Sequence, residues 1–202
     1  MPFITLEGID GSGKSTISSL LQERLREKGL DFIAIREPGG TPIGEKIRDL
    51  LLDPSYSISP IEEVYLYATS RAVLVREIIL PALNSGKIVI SERYLDSSLA
   101  YQGYGKGVPL KFIYEVNRPA IMGLYPDLTI LLDIDPLLCI ERLKDKKKDR
   151  IELEGLTLQK NVRYGYLKLA DFYKERYLVI DATKEPQKIV KEIIEKIERL
   201  KR

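Results

Sequence analysis

Apolar positions along the chain follow two alternating rhythms. Short continuous runs at Phe3-Ile4-Thr5-Leu6, 31–35, 87–91, 127–133 and Tyr177-Leu178-Val179-Ile180 have the length and bounding residues of buried strands. Between them, apolar residues recur at helical spacing. Ile17, Leu20, Leu21 and Leu25 form one such stripe, which Gly29 ends. Others run from Ile43 to Leu52, from Ile61 to about Leu83, and from Pro109 to Ile121. The Ile61 helix carries apolar residues on more than one face, so it is central to the domain or packed against a second subunit. Asp135-Pro136 opens a helix in which Leu137, Leu138, Ile140 and Leu143 are expected to face inward, with Cys139 a small core residue. A helix near Leu158 to Tyr173 and a final stripe of Ile189, Val190, Ile193, Ile194 and Ile197 complete the pattern. Gly103, Gly105 and Gly107 read as a flexible loop. The 202 residues suffice for one well-buried α/β domain, 1–202, and leave little room for a second.

Charge and composition narrow the classes. A formal net charge of +2 gives no support to nucleic-acid binding. No apolar run approaches the ~18 residues of a membrane span. The start at Met1-Pro2-Phe3-Ile4 enters the first strand without a signal-peptide pattern, and the single Cys139 cannot form an intramolecular disulfide. A cytoplasmic protein is expected. With no His, imidazole acid–base chemistry is excluded and zinc nearly so; carboxylates and hydroxyls remain, which suit Mg²⁺. Residues 144–150 hold five basic side chains and no apolar one, so they are expected to form a mobile solvated loop.

The strongest chemical signal is Gly8-Ile9-Asp10-Gly11-Ser12-Gly13-Lys14-Ser15-Thr16, a G-x-x-x-x-G-K-[ST] phosphate loop set between a strand and a helix. Its glycines let backbone N–H groups and the positive end of the helix surround a polyphosphate. Lys14 adds a point charge for the β and γ phosphates, and Ser15 a hydroxyl ligand for Mg²⁺. Arg36-Glu37-Pro38-Gly39-Gly40-Thr41 follows the second strand, where open α/β sheets bind ligands, but taken alone it reads better as an ordinary Pro-Gly turn. Tyr67 and Arg71, four apart on one helix face, could stack on a base and bond its edge. Taken alone they read better as a surface cation beside a half-buried aromatic. Glu92, just past a strand, is where a phosphate-loop protein holds Mg²⁺, and Arg93 could grip a phosphate bidentately. Asp96 and Ser97 suit either a polar ligand or an N-capped helix start.

Together these stretches, with Tyr101-Gln102-Gly103 and Asp149-Arg150-Ile151-Glu152, resemble the thymidylate kinase family over essentially the whole chain. The resemblance implies a five-stranded parallel sheet flanked by helices in three layers, a short mobile lid at about 142–154, a homodimer packed through its long helices, and Mg²⁺-dependent transfer of the ATP γ-phosphoryl group to dTMP. The loop residues Gly8 to Thr16 would hold ATP, and Lys14, Arg93 and Arg150 would be catalytic. Asp10 would accept from the sugar 3′-hydroxyl, Tyr67 would stack on thymine, Arg71 would bond the base edge and Arg93 would hold the dTMP phosphate. Ser98 stands where the family contacts the base, with Gln102 among the substrate contacts, and Tyr101 where it senses the missing 2′-hydroxyl. Arg36 and Pro38 would flank the acceptor phosphate, beside a cis Glu37–Pro38 bond. Ser15 and Glu92 would serve the metal; Glu92 stands where the family usually has Asp. Gly11 occupies the loop position at which one branch of the family places its catalytic arginine, which assigns this chain to the branch with a basic lid. Most of that lid is lysine, so Arg150, with Lys146 to Lys148, would neutralise the transferring group. The competing role for Arg150 is a structural pair with Asp149 or Glu152. Thr183-Lys184-Glu185-Pro186 lacks the Asp that a guanine-binding switch needs in N/T-K-x-D.

Overall fold

The structure is a computed structural model that describes residues 1–144 and 149–200. The lid lysines Lys146, Lys147 and Lys148 therefore lie outside the described residues. Strands β1 (Phe3–Glu7), β2 (Phe32–Arg36), β3 (Ile88–Glu92), β4 (Leu128–Asp133) and β5 (Tyr177–Asp181) form one sheet in the order β2-β3-β1-β4-β5. Every pairing is parallel, with Thr5 opposite Ser91 on one side and Thr129 on the other. The first strand is thus central, and all five of its residues are buried, Glu7 included.

Helices flank the sheet. Helix α1 (Lys14–Glu27) packs on β1, β2 and β3, with α9 (Pro186–Leu200) beside it. All five residues of the final stripe are buried, as the pattern predicts. Helix α2 (Pro42–Leu52) starts at Thr41, whose side chain accepts from the Gly44 N–H. Helix α3 (Pro60–Leu74) starts with a reciprocal capping box between Ser59 and Glu62. It continues through a wide π-type turn, Val75–Ile79, into α4 (Leu80–Asn84), so the long helix expected from Ile61 is present. Pro81 follows closely on that π-type turn, in the first turn of α4.

Three expectations are corrected. Gly103 and Gly105 do not lie in a flexible loop: α5 (Leu95–Ser98) runs on as a π-type segment, Leu99–Gly105, whose first five residues are buried, and only Gly107 falls in the connection that follows. The glycines there serve packing, since a Cβ at Gly105 would lie 2.8 Å from Leu158 Cδ1 and one at Gly103 would collide with Leu110. In α7 (Pro136–Leu143) Leu137 and Leu138 face outward, 57% and 43% exposed, while Pro136 and Cys139 are buried. This short helix docks through Cys139 and Leu143 against Gly11, which turns the two leucines away. Asp96 does not cap α5; it is buried and paired with Arg176, Thr129 and Tyr177. The remaining helices are α6 (Leu110–Ile121) and α8 (Gly155–Phe172), the latter packed on β4, β5 and the Leu99–Gly105 segment.

Candidate active site

The chain leaves the buried end of β1 and turns into α1 through the phosphate loop. Gly8 has φ 144°, and a Cβ there would lie 2.8 Å from the Leu132 carbonyl oxygen, so conformation and space both demand glycine. No side chain caps α1, which leaves its first N–H groups to whatever the loop encloses. Lys14 is 8% exposed, and its Nζ donates to the carbonyl oxygens of Gly8 at 3.0 Å and Ile9 at 2.8 Å. Burial and the nearby Arg93 press the Lys14 ammonium down to a pKa of about 8. Ile9 contributes through that carbonyl, its side chain being buried in the core. Ser15 Oγ donates to Glu92 Oε2 at 2.8 Å, so the two expected metal residues do meet.

A cavity of about 760 Å³ spreads from this loop. Asp10 and residues 11–17 form one wall, and Arg36, Arg48, Arg93 and Arg142 add positive charge. Thr183-Lys184-Glu185-Pro186, the stretch that fails as a guanine-reading motif, lines the far end. A narrower cleft lies alongside, with Pro38, Tyr67, Ser98, Tyr101 and Gln102 in its walls. Asp10, Glu37, Arg48 and Arg93 line both spaces.

Arg93 stands at that junction with a left-handed backbone, φ 72°, which is unusual for a long side chain. Its guanidinium donates to the Gly8 carbonyl at 3.2 Å, Ser97 Oγ at 3.1 Å, Tyr166 OH at 3.3 Å, Tyr101 OH at 3.1 Å and the Asp10 carboxylate. Tyr101 also donates to Asp10 Oδ2 at 2.8 Å. Burial works against the Asp10 charge, but Arg93, Lys14 and the Tyr101 hydroxyl outweigh it and hold the carboxyl below its ordinary value.

A family model for thymidylate kinase matches residues 6–193. The chain belongs to the thymidylate kinase family. It is similar to the thymidylate kinase of Caldanaerobacter subterraneus subsp. tengcongensis, at 47% identity over 97% of this chain and 94% of that one. The thymidylate kinase of Deinococcus radiodurans is 46% identical over 95% of this chain and 93% of its own length. The crystal structure of thymidylate kinase from Ehrlichia chaffeensis superposes with a TM-score of 0.80 at 32% identity, covering 98% of each chain. As a family member the chain is a nucleotide-binding phosphotransferase.

Within this thymidylate kinase fold four expected site residues line neither space: Gly8 and Ile9, whose carbonyl oxygens accept from Lys14, and Arg71 and Arg150. Arg71 is 1% exposed and sits behind the cleft rather than in its wall. It is no surface cation: Nε donates to Glu37 Oε2 at 2.8 Å, and Nη2 to the Tyr94 carbonyl at 3.0 Å and Ser98 Oγ at 3.2 Å. The cis Glu37–Pro38 bond is present, and the turn buries Glu37 for this pair. Arg150 pairs with neither Asp149 nor Glu152. Its Nη2 lies 2.7 Å from Glu63 Oε1, and its Nε donates to the Leu51 carbonyl at 2.8 Å, which holds it outside both spaces.

Several residues of the site escaped the sequence reading. Arg142 donates to the Gly11 carbonyl at 3.3 Å and Arg48 to the Pro38 carbonyl at 3.1 Å, each from a helix whose pattern signals only amphipathicity. Glu7 accepts from the Tyr94 N–H at 2.9 Å, Ser97 Oγ at 2.6 Å and Tyr166 OH at 2.9 Å, which braces two of the hydroxyls that accept from Arg93. Burial and the neighbouring Asp96 raise the Glu7 carboxyl to about 7. A charged residue ending a fully buried strand was the available signal. Gln159, donating to Asp10 Oδ2 at 3.4 Å from mid-helix α8, carried none.

Proposed function

We propose that the chain transfers the γ-phosphoryl group of ATP to dTMP, giving dTDP and ADP. The observation that carries the reading is the shared wall, where Asp10 and Arg93 face both the phosphate-loop cavity and the cleft of Tyr67, Ser98 and Gln102. Donor and acceptor phosphates placed on the two sides of Arg93 would meet in line, and positioning of this kind is most of what phosphoryl transfer requires. The bond from the γ phosphorus to the β,γ-bridging oxygen breaks as one forms to a dTMP phosphate oxygen. That oxygen is already ionised at neutral pH, so no general base is needed.

In this reading residues 8–16 hold ATP, and Lys14 neutralises its β and γ phosphates. Arg93 grips the acceptor phosphate, with Arg36 and Pro38 beside it. Tyr67 stacks on thymine, Arg71 and Ser98 act together on the base edge, Asp10 accepts from the 3′-hydroxyl, and Tyr101 excludes a 2′-hydroxyl. Arg150 exchanges Glu63 for the transferring group. Ser15 and Glu92 offer a hydroxyl and a carboxylate, oxygen donors that suit Mg²⁺, and no cluster of three metal-binding side chains competes with them among the described residues. The ion supplies charge neutralisation on the phosphate oxygens.

The same reading includes a homodimer packed through the long helices, supported by the exposed Ile61 and Tyr65 on α3. A cytoplasmic location belongs to the same reading. Phosphorus NMR of ATP and dTMP with the protein and Mg²⁺ tests the reaction: dTDP and ADP resonances should grow together. Release of inorganic phosphate at the same rate without dTMP would refute it.

A further inference from the structure

We propose that Glu63 decides which pyrimidine the cleft accepts, by fixing the orientation of the Gln102 side-chain amide. Glu63 lies on α3 one turn before Tyr67 and is fully buried. Its Oε2 accepts from Gln102 Nε2 at 2.9 Å. Its Oε1 lies 2.7 Å from Lys106 Nζ and 2.7 Å from Arg150 Nη2. A carboxylate held by Lys106, whether or not Arg150 stays, offers only acceptors, so Gln102 must turn its NH₂ toward Glu63.

The consequence falls on the other end of the amide. Gln102 lines the cleft, and its Oε1 makes no hydrogen bond among the described residues. The group left for a ligand is therefore an acceptor. Thymine and uracil present a donor at N3–H, whereas cytosine presents a lone pair there, which an oxygen repels. A freely turning amide would serve either base; one committed to Glu63 serves only the first kind. Glu63 touches no substrate in this scheme and is a positioning residue. The inference rests on the reading that the cleft holds the base of the acceptor monophosphate.

The test is the ratio of kcat/KM for dTMP to that for dCMP in the parent, Glu63→Gln, Gln102→Met and the double variant. Effects on Arg150 and the lid are common to both acceptors and cancel in the ratio. Glu63→Gln removes the obligate acceptor, so the ratio should fall by about tenfold or more, and Gln102→Met should do the same. In the Gln102→Met background Glu63→Gln should lower it no further. An unchanged ratio in folded Glu63→Gln, or an equal fall in both backgrounds, would overturn the proposal. A parent without preference for dTMP over dCMP would instead overturn the base-site reading. Should Glu63→Gln fail to fold, the parent labelled with ¹⁵N decides the question. The Gln102 NH₂ resonances, identified by their loss in Gln102→Met, should stay protected and nearly unshifted on saturation with dTMP. A large shift or loss of protection would place the NH₂ on the ligand and contradict the assignment.

Discussion

Arg93 and Asp10 meet across the phosphate loop: Nη2 of the arginine donates to one carboxylate oxygen, while the other accepts from the Tyr101 hydroxyl at 2.8 Å. The pair joins the end of β3 to the loop after β1, so a phosphate group drawn to Arg93 would arrive beside the phosphate loop. Asp10 is kept ionised by the same guanidinium, against its burial.

Arg93→Lys retains the charge and loses the fork. Ser97, Tyr101, Tyr166 and Asp10 would share one ammonium with three donors, where the guanidinium now serves them all. We expect kcat/KM for dTMP to fall about 100-fold or more, with the thermal midpoint within a few degrees of the parent. Steady-state kinetics and calorimetry check this; a fall of only a few-fold would remove Arg93 from the phosphate site.

Gly8→Ala would force a Cβ onto the Leu132 carbonyl at 2.8 Å and onto a backbone at φ 144°. Loss of ATP binding together with destabilisation by about 2–4 kcal/mol is expected. Gly13→Ala meets no atom within 4 Å, so only its φ of 97° opposes the change, and the penalty should be smaller. Equal losses in the two variants, by denaturant unfolding, would contradict this ranking.

Legibility from sequence followed the physics of each feature. The strand runs and the Ile189 stripe were readable because burial of a whole strand or one helix face imposes a pattern of its own. The phosphate loop was readable because close backbone approach admits little but glycine. Leu137 and Leu138 misled because apolar periodicity does not say which neighbour a short helix will find. Gly103 and Gly105 misled for a related reason: glycine can mark tight packing as well as a loop, and only tertiary contacts separate the two. The partner of Arg71 lies 34 residues away at Glu37, and that of Arg150 lies on α3, pairings that only the fold can bring together.

Lys14 should set an alkaline limit on ATP capture. Burial and Arg93 lower its pKa to about 8, so the free enzyme loses the ammonium as pH rises through that value. The expected kcat/KM for ATP is flat below pH ~7 and declines above ~8, while kcat, reporting the nucleotide complex, holds to higher pH. A kcat/KM profile flat to pH ~10 would contradict the buried environment.

Glu7 should make the fold less stable as pH rises. Its carboxyl is raised by burial and by Asp96 to about 7 from an unfolded value near 4.5, so the native state binds the extra proton between these limits. Stability is full below about pH 4.5 on this account and falls through 7, by on the order of 3 kcal/mol. Glu37, also raised by burial, adds to the same slope, while Lys14, lowered to about 8, opposes it only from about that pH upward. Urea unfolding at pH 5.5 and 8 should show the parent losing stability and Glu7→Gln losing less. A parent more stable at pH 8 would be the contrary result.

The most direct measurement is coupled ADP release with ATP and Mg²⁺, comparing dTMP with dUMP, UMP, dCMP, AMP and no acceptor. Stimulation by dTMP above every other acceptor is predicted, with dUMP second because one methyl separates the bases by only about 1–3 kcal/mol. Preference for another base, or ADP release that needs no acceptor, would contradict the account and remove the roles of Tyr67, Arg71, Ser98, Tyr101 and Gln102.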